Sequence, residues 1–372
     1  MRRRYAIATT CTLLLTLLAS GPGVVAAPHL TAPRFQVTPE LSAPASMAVD
    51  LTTGVVLFEE NPDSALPPAS TAKLLTALTA MRVLDIGEQV TILDVDMIEE
   101  EFSRMGLEPG DVATVEQLLY GTLMPSGGDA AMALARVAGA RLDPESPDPV
   151  ERFVQEMNQV ALSLGMASSS FGNPVGRDDE RSWTTARDLI RAADAVLADP
   201  LLARIVATPW ASVNLGGPNA RELVLENTNQ FVLHDGAIGV KTGTTDAAGQ
   251  ALINAFKYGD NIIVSVVIGS EDRYNDTSML LQHIATQREW IAFGGQYASL
   301  GARDELAEQG LWMPVSRTIM VETAALERIT YTVNLNEGAE NGARGVVEFS
   351  LDGETIAALP VYVQGQPAGE EP

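Results

Sequence analysis

The 372-residue chain holds one cysteine, three histidines and three lysines, and each scarcity removes a class of chemistry. Cys11 lies in an apolar stretch near the N-terminus, so beyond it the chain has no thiol. Disulfides, thiol catalysis and cysteine metal ligands are thereby excluded. Histidine occurs only at positions 29, 234 and 283, and neither a Gly-x-Ser-x-Gly elbow nor a His-Glu-x-x-His motif is present. Ser-His-Asp and zinc chemistry lack support, and the sequence calls for no cofactor and no metal. Positive charge is also scarce: Lys plus Arg total 24 against 48 Asp plus Glu, a net charge of −24. Such a balance opposes binding to nucleic acid or anionic lipid and reads as a solvated acidic surface. After the N-terminal stretch, no run is apolar enough to span a membrane.

What is present begins with Arg2-Arg3-Arg4, an apolar stretch from Tyr5 to Ala19, a Gly21-Pro22-Gly23 breaker and the small residues Val25-Ala26-Ala27. That order reads as a signal peptide over residues 1–27 and predicts export beyond the cytoplasm; an uncleaved membrane anchor is the alternative. Residues 28–44, rich in proline and polar residues, read as an extended arm. A hairpin follows over Ser46 to Glu60, then a helix opened by Pro67-Pro68, in which Leu74, Leu75, Leu78 and Met81 recur at helical spacing. Further helices are predicted over Val115 to Leu123, Asp129 to Ala140, along the Phe153-Met157-Val160-Leu164 face, after Thr184, and around Met279 to Ile291. Strands are predicted near Ala237 to Val240, Gln250 to Phe256 and Ile262 to Ile268. Strands at both ends of a helical middle predict an α/β sandwich on an antiparallel sheet with a helical subdomain, over residues 45–298. From about Leu311 the pattern is alternation alone, with an Asp352-Gly353 turn, predicting a small all-β C-terminal domain over 311–363 and a polar tail over 364–372.

Lysine stands only at positions 73, 241 and 257 in a chain that otherwise uses arginine. Arginine does not lose its proton in a protein and a desolvated lysine can, so a base role requires lysine. In Ser70-Thr71-Ala72-Lys73, positions i and i+3 share a helical face, so Lys73 can reach the Ser70 hydroxyl and take its proton. By itself this pattern also describes a helix-capping serine with a surface lysine. Lys241-Thr242-Gly243-Thr244 follows a β-like run, and a cation and hydroxyl beside a close-packing glycine suit a peptide carboxylate. A strand end with a turn is the plain alternative. Between them in the chain, Ser126-Gly127-Gly128-Asp129 offers a hydroxyl for relaying a proton towards Lys73, or an N-cap for the next helix with Asp129 in support.

In this order the three segments resemble the signature of penicillin-recognising serine enzymes. The chain is similar to the D-alanyl-D-alanine carboxypeptidases, the low-molecular-mass penicillin-binding proteins. The likeness extends to Thr114-Val115-Glu116-Gln117-Leu118-Leu119-Tyr120-Gly121, Phe171-Gly172-Asn173-Pro174, Thr185-Ala186-Arg187-Asp188-Leu189 and Asn227-Thr228-Asn229. The resemblance implies that Ser70 attacks the carbonyl between the two D-alanines of a peptidoglycan stem peptide and that Lys73 accepts its proton. Ser126 would pass a proton to the leaving D-alanine. Lys241, Thr242, Gly243 and Thr244 would bind substrate, the backbone N–H groups of Ser70 and Thr244 would form the oxyanion hole, and β-lactams would be covalent inhibitors.

Two departures stand out. The family's middle motif usually reads Ser-x-Asn, and this chain has Gly128 in place of the asparagine, which puts turnover in question more than acylation. The tail from Gln364 to Pro372 is polar, so no C-terminal membrane anchor is expected. Two other functions share these residues: a β-lactamase, with Glu180 as the added carboxylate, and a catalytically weakened wall-binding protein.

Overall fold

The computed structural model describes residues 39–294, 306–313, 316–335 and 343–363. The signal segment, most of the arm and the polar tail lie outside the described residues. The chain divides into two compact units, with Pro39–Gln282 in one and His283 onward in the other.

The larger unit is organised on a five-stranded antiparallel sheet in the order β2-β1-β9-β8-β7. Strands β1 (Ala45–Asp50) and β2 (Val55–Glu60) form the expected hairpin. Every residue of β1 is buried, whereas β2, at the edge of the sheet, buries only Leu57 fully. Between them and the last three strands lies the helical region. It comprises α1 (Lys73–Val83), the short pair β3 (Gln89–Thr91) and β4 (Val112–Thr114), then α2 (Val115–Leu123), α3 (Gly128–Leu142) and α4 (Pro149–Ser163). Two more helices follow, α5 (Ala186–Ala198) and α6 (Pro200–Ala207). The caps are those the sequence offers. The Thr114 hydroxyl accepts from the N–H of Gln117 while Gln117 returns the bond to Thr114, and Asp148 and Thr185 cap α4 and α5.

The hairpin of β5 (Trp210–Leu215) and β6 (Arg221–Glu226) was not legible in the sequence. The chain then runs through β7 (Ala237–Thr245), β8 (Gly249–Tyr258) and β9 (Asn261–Ser270), three long strands packed through Val240, Leu252, Ile253, Val264 and Val266. Helix α5 lies against β1, β8 and β9, and one continuous core runs from Met47 to Ile268. The Asp276 carboxylate, near the start of α7 (Arg273–Gln287), accepts from Ser42 N–H, Ser42 Oγ, Ala43 N–H and Ser270 Oγ, tying the entering chain to the end of β9.

The helix expected around Met279 to Ile291 ends earlier: after Gln287 the chain becomes β10 (Arg288–Gly294), which pairs antiparallel with β12 (Ser316–Glu322). Leu280, Ile284 and Ile291 happen to keep near-helical spacing across that junction, which hides the change of period. Among its described residues the second unit is otherwise mostly strand, with a 3-10 helix over Thr323–Arg328 and a helical turn at 306–308. Its four-stranded sheet has the order β11 (Leu311–Trp312), β15 (Glu354–Val363), β14 (Gly345–Leu351), β13 (Ile329–Leu335). Asp352 and Gly353 both take left-handed φ, +52° and +91°, as the predicted two-residue hairpin turn requires. Val347 and Phe349 alternate inward, with the Phe349 ring 4.5 Å from that of Phe293.

Candidate active site

A short 3-10 turn, Ala69–Ala72, leads directly into α1, so Ser70 and Lys73 stand one helical turn apart. The Thr71 hydroxyl donates to Pro68 O at 2.5 Å and clamps the turn, while Ala69 is held at a left-handed φ of +46°. Strained backbone of this kind, just before the candidate nucleophile Ser70, is held only by its surroundings. Lys73 Nζ donates to Ser70 Oγ at 2.9 Å and to Val175 O at 2.6 Å. The lysine is 3% exposed, and burial pulls its pKa down to about 7; Asp129 opposes that shift and Arg177 adds to it. A surface lysine beside a capping serine is therefore excluded: Lys73 is buried, and neither helical segment has a side-chain cap.

The partner of Lys73 is supplied by the turn after Phe171. Asn173 Oδ1 accepts from the N–H groups of Val175, Gly176 and Arg177, and its Nδ2 donates to Arg177 O. This brace presents Val175 O to Lys73 and Pro174 O to the Thr76 hydroxyl. Gly176, at φ +77°, lies so close to the backbone of the Ser70 turn that an added Cβ would fall 1.8 Å from Ala69 O. Farther along, the Asp178 carboxylate accepts from the Thr245 hydroxyl and the Ala247 N–H.

Strand β7 brings the second motif to the same place. Gly243 packs on the Ser70 turn, where an added Cβ would lie 3.0 Å from Ala69 Cβ and 3.1 Å from Ser70 N. Lys241 is 1% exposed and donates to Thr242 O. Burial, Lys73 and Arg273 hold its pKa well below the ordinary lysine value. An incoming carboxylate is the counter-charge that would restore its cation. The Thr242 hydroxyl is 2.7 Å from that of Thr228, which also donates to Met124 O.

Arg273 was missed by sequence reasoning. Its Nη1 donates to Gly243 O and Ala251 O, its Nε donates to Gln250 Oε1, and its Nη2 reaches the Thr244 hydroxyl. A lone arginine 30 residues beyond the Lys241 motif carries no local signal, since only the β8–β9 return brings it back.

The Ser126 segment differs from its expected cap role. Gly127, not Ser126, is the N-cap of α3, and Ser126 sits at φ +63° with its buried Oγ making no hydrogen bond to any described residue. No hydrogen bond yet joins it to Lys73. Asp129 does support the segment: its carboxylate accepts from the N–H groups of Met105, Gly106, Leu107 and Ala130, pinning the preceding loop over the start of α3. Gly128 is not an open vacancy. A Cβ there would fall 2.4 Å from Ile98 Cδ1, so a residue of that loop occupies the space a side chain would need. Glu180 is exposed, and among the described residues no hydrogen bond connects it to Ser70.

A lysine buried against a serine hydroxyl, beside a strand that packs on the serine's own backbone, defines a serine–lysine acyl-transfer centre on an antiparallel α/β sandwich. The chain belongs to the D-alanyl-D-alanine carboxypeptidase family, whose profile matches residues 32–272. It is 33% identical over 234 residues to D-alanyl-D-alanine carboxypeptidase DacB2 of Mycobacterium tuberculosis, spanning 62% of this chain and 76% of that one. The DD-transpeptidase of Streptomyces K15 superimposes with a TM-score of 0.62 at 27% identity, over 67% of this chain and 99% of that one. The carboxypeptidase DacD of Francisella tularensis shares the fold across 94% of this chain and 100% of its own, with a TM-score of 0.65 at 22% identity.

Proposed function

We propose that the protein is a serine-type D-alanyl-D-alanine carboxypeptidase that removes the terminal D-alanine of peptidoglycan stem peptides outside the cytoplasm. The observation that carries this reading is the 2.9 Å contact between Lys73 Nζ and Ser70 Oγ, made by a lysine whose pKa lies about 7. At neutral pH much of Lys73 is an amine, and its lone pair can accept the Ser70 hydroxyl proton along that line.

Ser70 Oγ bonds to the carbonyl carbon between the two D-alanines, and the negative oxygen faces the N–H groups of Ser70 and Thr244. The C–N bond then breaks. The amine of the departing D-alanine takes a proton from Lys73, with the otherwise unengaged Ser126 hydroxyl as relay. Lys241 and the Thr242 hydroxyl hold the substrate carboxylate, and Arg273 braces that end of β7 through Gly243 O and Thr244. Water, activated by the same lysine, hydrolyses the ester. β-Lactams acylate Ser70 by the same first step.

A weakened enzyme has one supporting observation, the absence of a side chain at Gly128, but Ile98 packs that space and keeps the segment in place. The test is release of free D-alanine from a peptide ending in D-alanyl-D-alanine. Wild type releases it and Ser70→Ala does not; equal release from both, or from neither, contradicts the reading.

A further inference from the structure

Arg177 has a charge and a position that the reaction just described does not use. It follows Gly176, which packs on the backbone of the nucleophile's turn, and its main chain is held by Asn173. Its guanidinium lies over the Phe102 ring, 4.8 Å from the centroid, and Nη2 is paired with Glu99. The neighbouring Nε is buried and makes no hydrogen bond among the described residues. A guanidinium edge offers two parallel N–H groups to one carboxylate. Glu99 takes only one of the two. That glutamate is 54% exposed, and an exposed ion pair of this kind is easily exchanged.

The two arginines near the site are held by different segments. The Glu99–Phe102 segment that holds the Arg177 head continues to Ser103, whose carbonyl accepts from the Gly128 N–H next to the Ser126 segment, and Asp129 pins that loop in place. Arg273 contacts Gly243 O and Thr244, at the end proposed to bind the terminal carboxylate, whereas the Arg177 head lies against the loop that abuts the Ser126 segment. A peptide acylating Ser70 directs its N-terminal portion away from the terminal carboxylate. An extended residue spans about 3.3–3.6 Å, so the residue preceding the two D-alanines comes within reach of a long side chain rooted beside Ser70.

We propose that Arg177 is a specificity-determining residue that selects stem peptides carrying a free carboxylate on the residue just before D-alanyl-D-alanine, with Phe102 and Glu99 holding the guanidinium ready. This rests on the carboxypeptidase reading. The substrate carboxylate displaces Glu99 and engages both Nε and Nη2, satisfying the buried N–H. In a protein of net charge −24, a cation beside the nucleophile also offsets repulsion of an acidic peptide.

The test measures how strongly two tripeptides, L-glutamyl-D-alanyl-D-alanine and L-glutaminyl-D-alanyl-D-alanine with blocked N-termini, slow covalent labelling of the full-length protein by a penicillin. In wild type the glutamyl peptide competes about tenfold better, the scale of one charge-assisted hydrogen bond. Arg177→Gln abolishes the preference, Arg177→Lys retains part of it, and Glu99→Gln, which removes the competing anion, keeps or enlarges it. Because the readout is a ratio within each variant, loss of folded protein does not mimic the effect. Equal competition in wild type, no competition by either peptide, or an unchanged preference in Arg177→Gln overturns the assignment of Arg177. Absence of labelling in wild type instead overturns the catalytic reading beneath it.

Discussion

The proton chemistry we propose for the site resides in one side chain. Lys73 can act as a base because it is buried deeply enough for burial to outweigh Asp129's stabilisation of its cation. The sign follows directly: the base-competent amine accumulates as pH rises through about 7. The rate of penicillin labelling should rise with pH to a plateau with a midpoint near that value. In Asp129→Asn the charge favouring the cation is gone, and the midpoint moves lower; a midpoint that rises would contradict the assignment. Lys73→Arg keeps the charge but cannot take a proton, so labelling should slow by about 10²–10⁴-fold, measured by stopped-flow or intact mass.

At the scale of elements, Ser70 and Lys73 are positioned from outside their own helical segment. The turn from Phe171 to Asp178 supplies a carbonyl to Lys73 and packs Gly176 on Ala69, and all of this hangs on Asn173. Asn173→Ala leaves three backbone N–H groups short of an acceptor, each worth about 1–3 kcal/mol if buried. Labelling should therefore slow by more than the loss of folded protein, followed by thermal melting, can explain. Gly128→Asn would restore the residue usual in the family, yet its Cβ must displace Ile98. The clashing atom is the tip of a side chain that can turn aside, so melting temperature should fall only by the low end of an overpacking cost, about 1 kcal/mol, without a gain in D-alanine release, and adding Ile98→Ala should recover it.

The same scale explains what the sequence made legible. Helix α2 matched its expected bounds because Thr114 and Gln117 form a cap box and an apolar run follows. The β5–β6 hairpin did not announce itself. Its exposed Trp210 and Val224 blur the alternation, and its Gly216-Gly217-Pro218-Asn219 turn reads as a generic loop. In the site, Ser70, Lys73 and Lys241 were legible because a rare residue type falls in an ordered motif. Asn173 was quoted in a motif without its bracing role. Arg273 and Ile98 were invisible because each meets the site through contacts between segments far apart in sequence.

For the whole molecule, two buried lysines with depressed pKa values make stability pH-dependent. The unfolded chain keeps a proton on Lys73 up to the ordinary value of 10.5, the folded chain only to about 7. Between those values the unfolded state binds more protons, so stability should increase with pH across that window and be lost as pH falls back through it. Carboxylates are already ionised there and contribute no opposing slope. Chemical denaturation between about pH 7.5 and 9.5 should show this rise, and Lys73→Met should show a shallower one because only Lys241 is left to contribute. An identical slope in both would mean that Lys73 is not buried as described.

The central claim is that Ser70 is the acyl-accepting nucleophile. It is tested most directly by the intact mass of the protein after exposure to penicillin, with the adduct mapped by peptide sequencing. One covalent equivalent on the peptide containing Ser70, and none in Ser70→Ala, is the predicted result. An adduct on any other residue, or none in wild type, would contradict it.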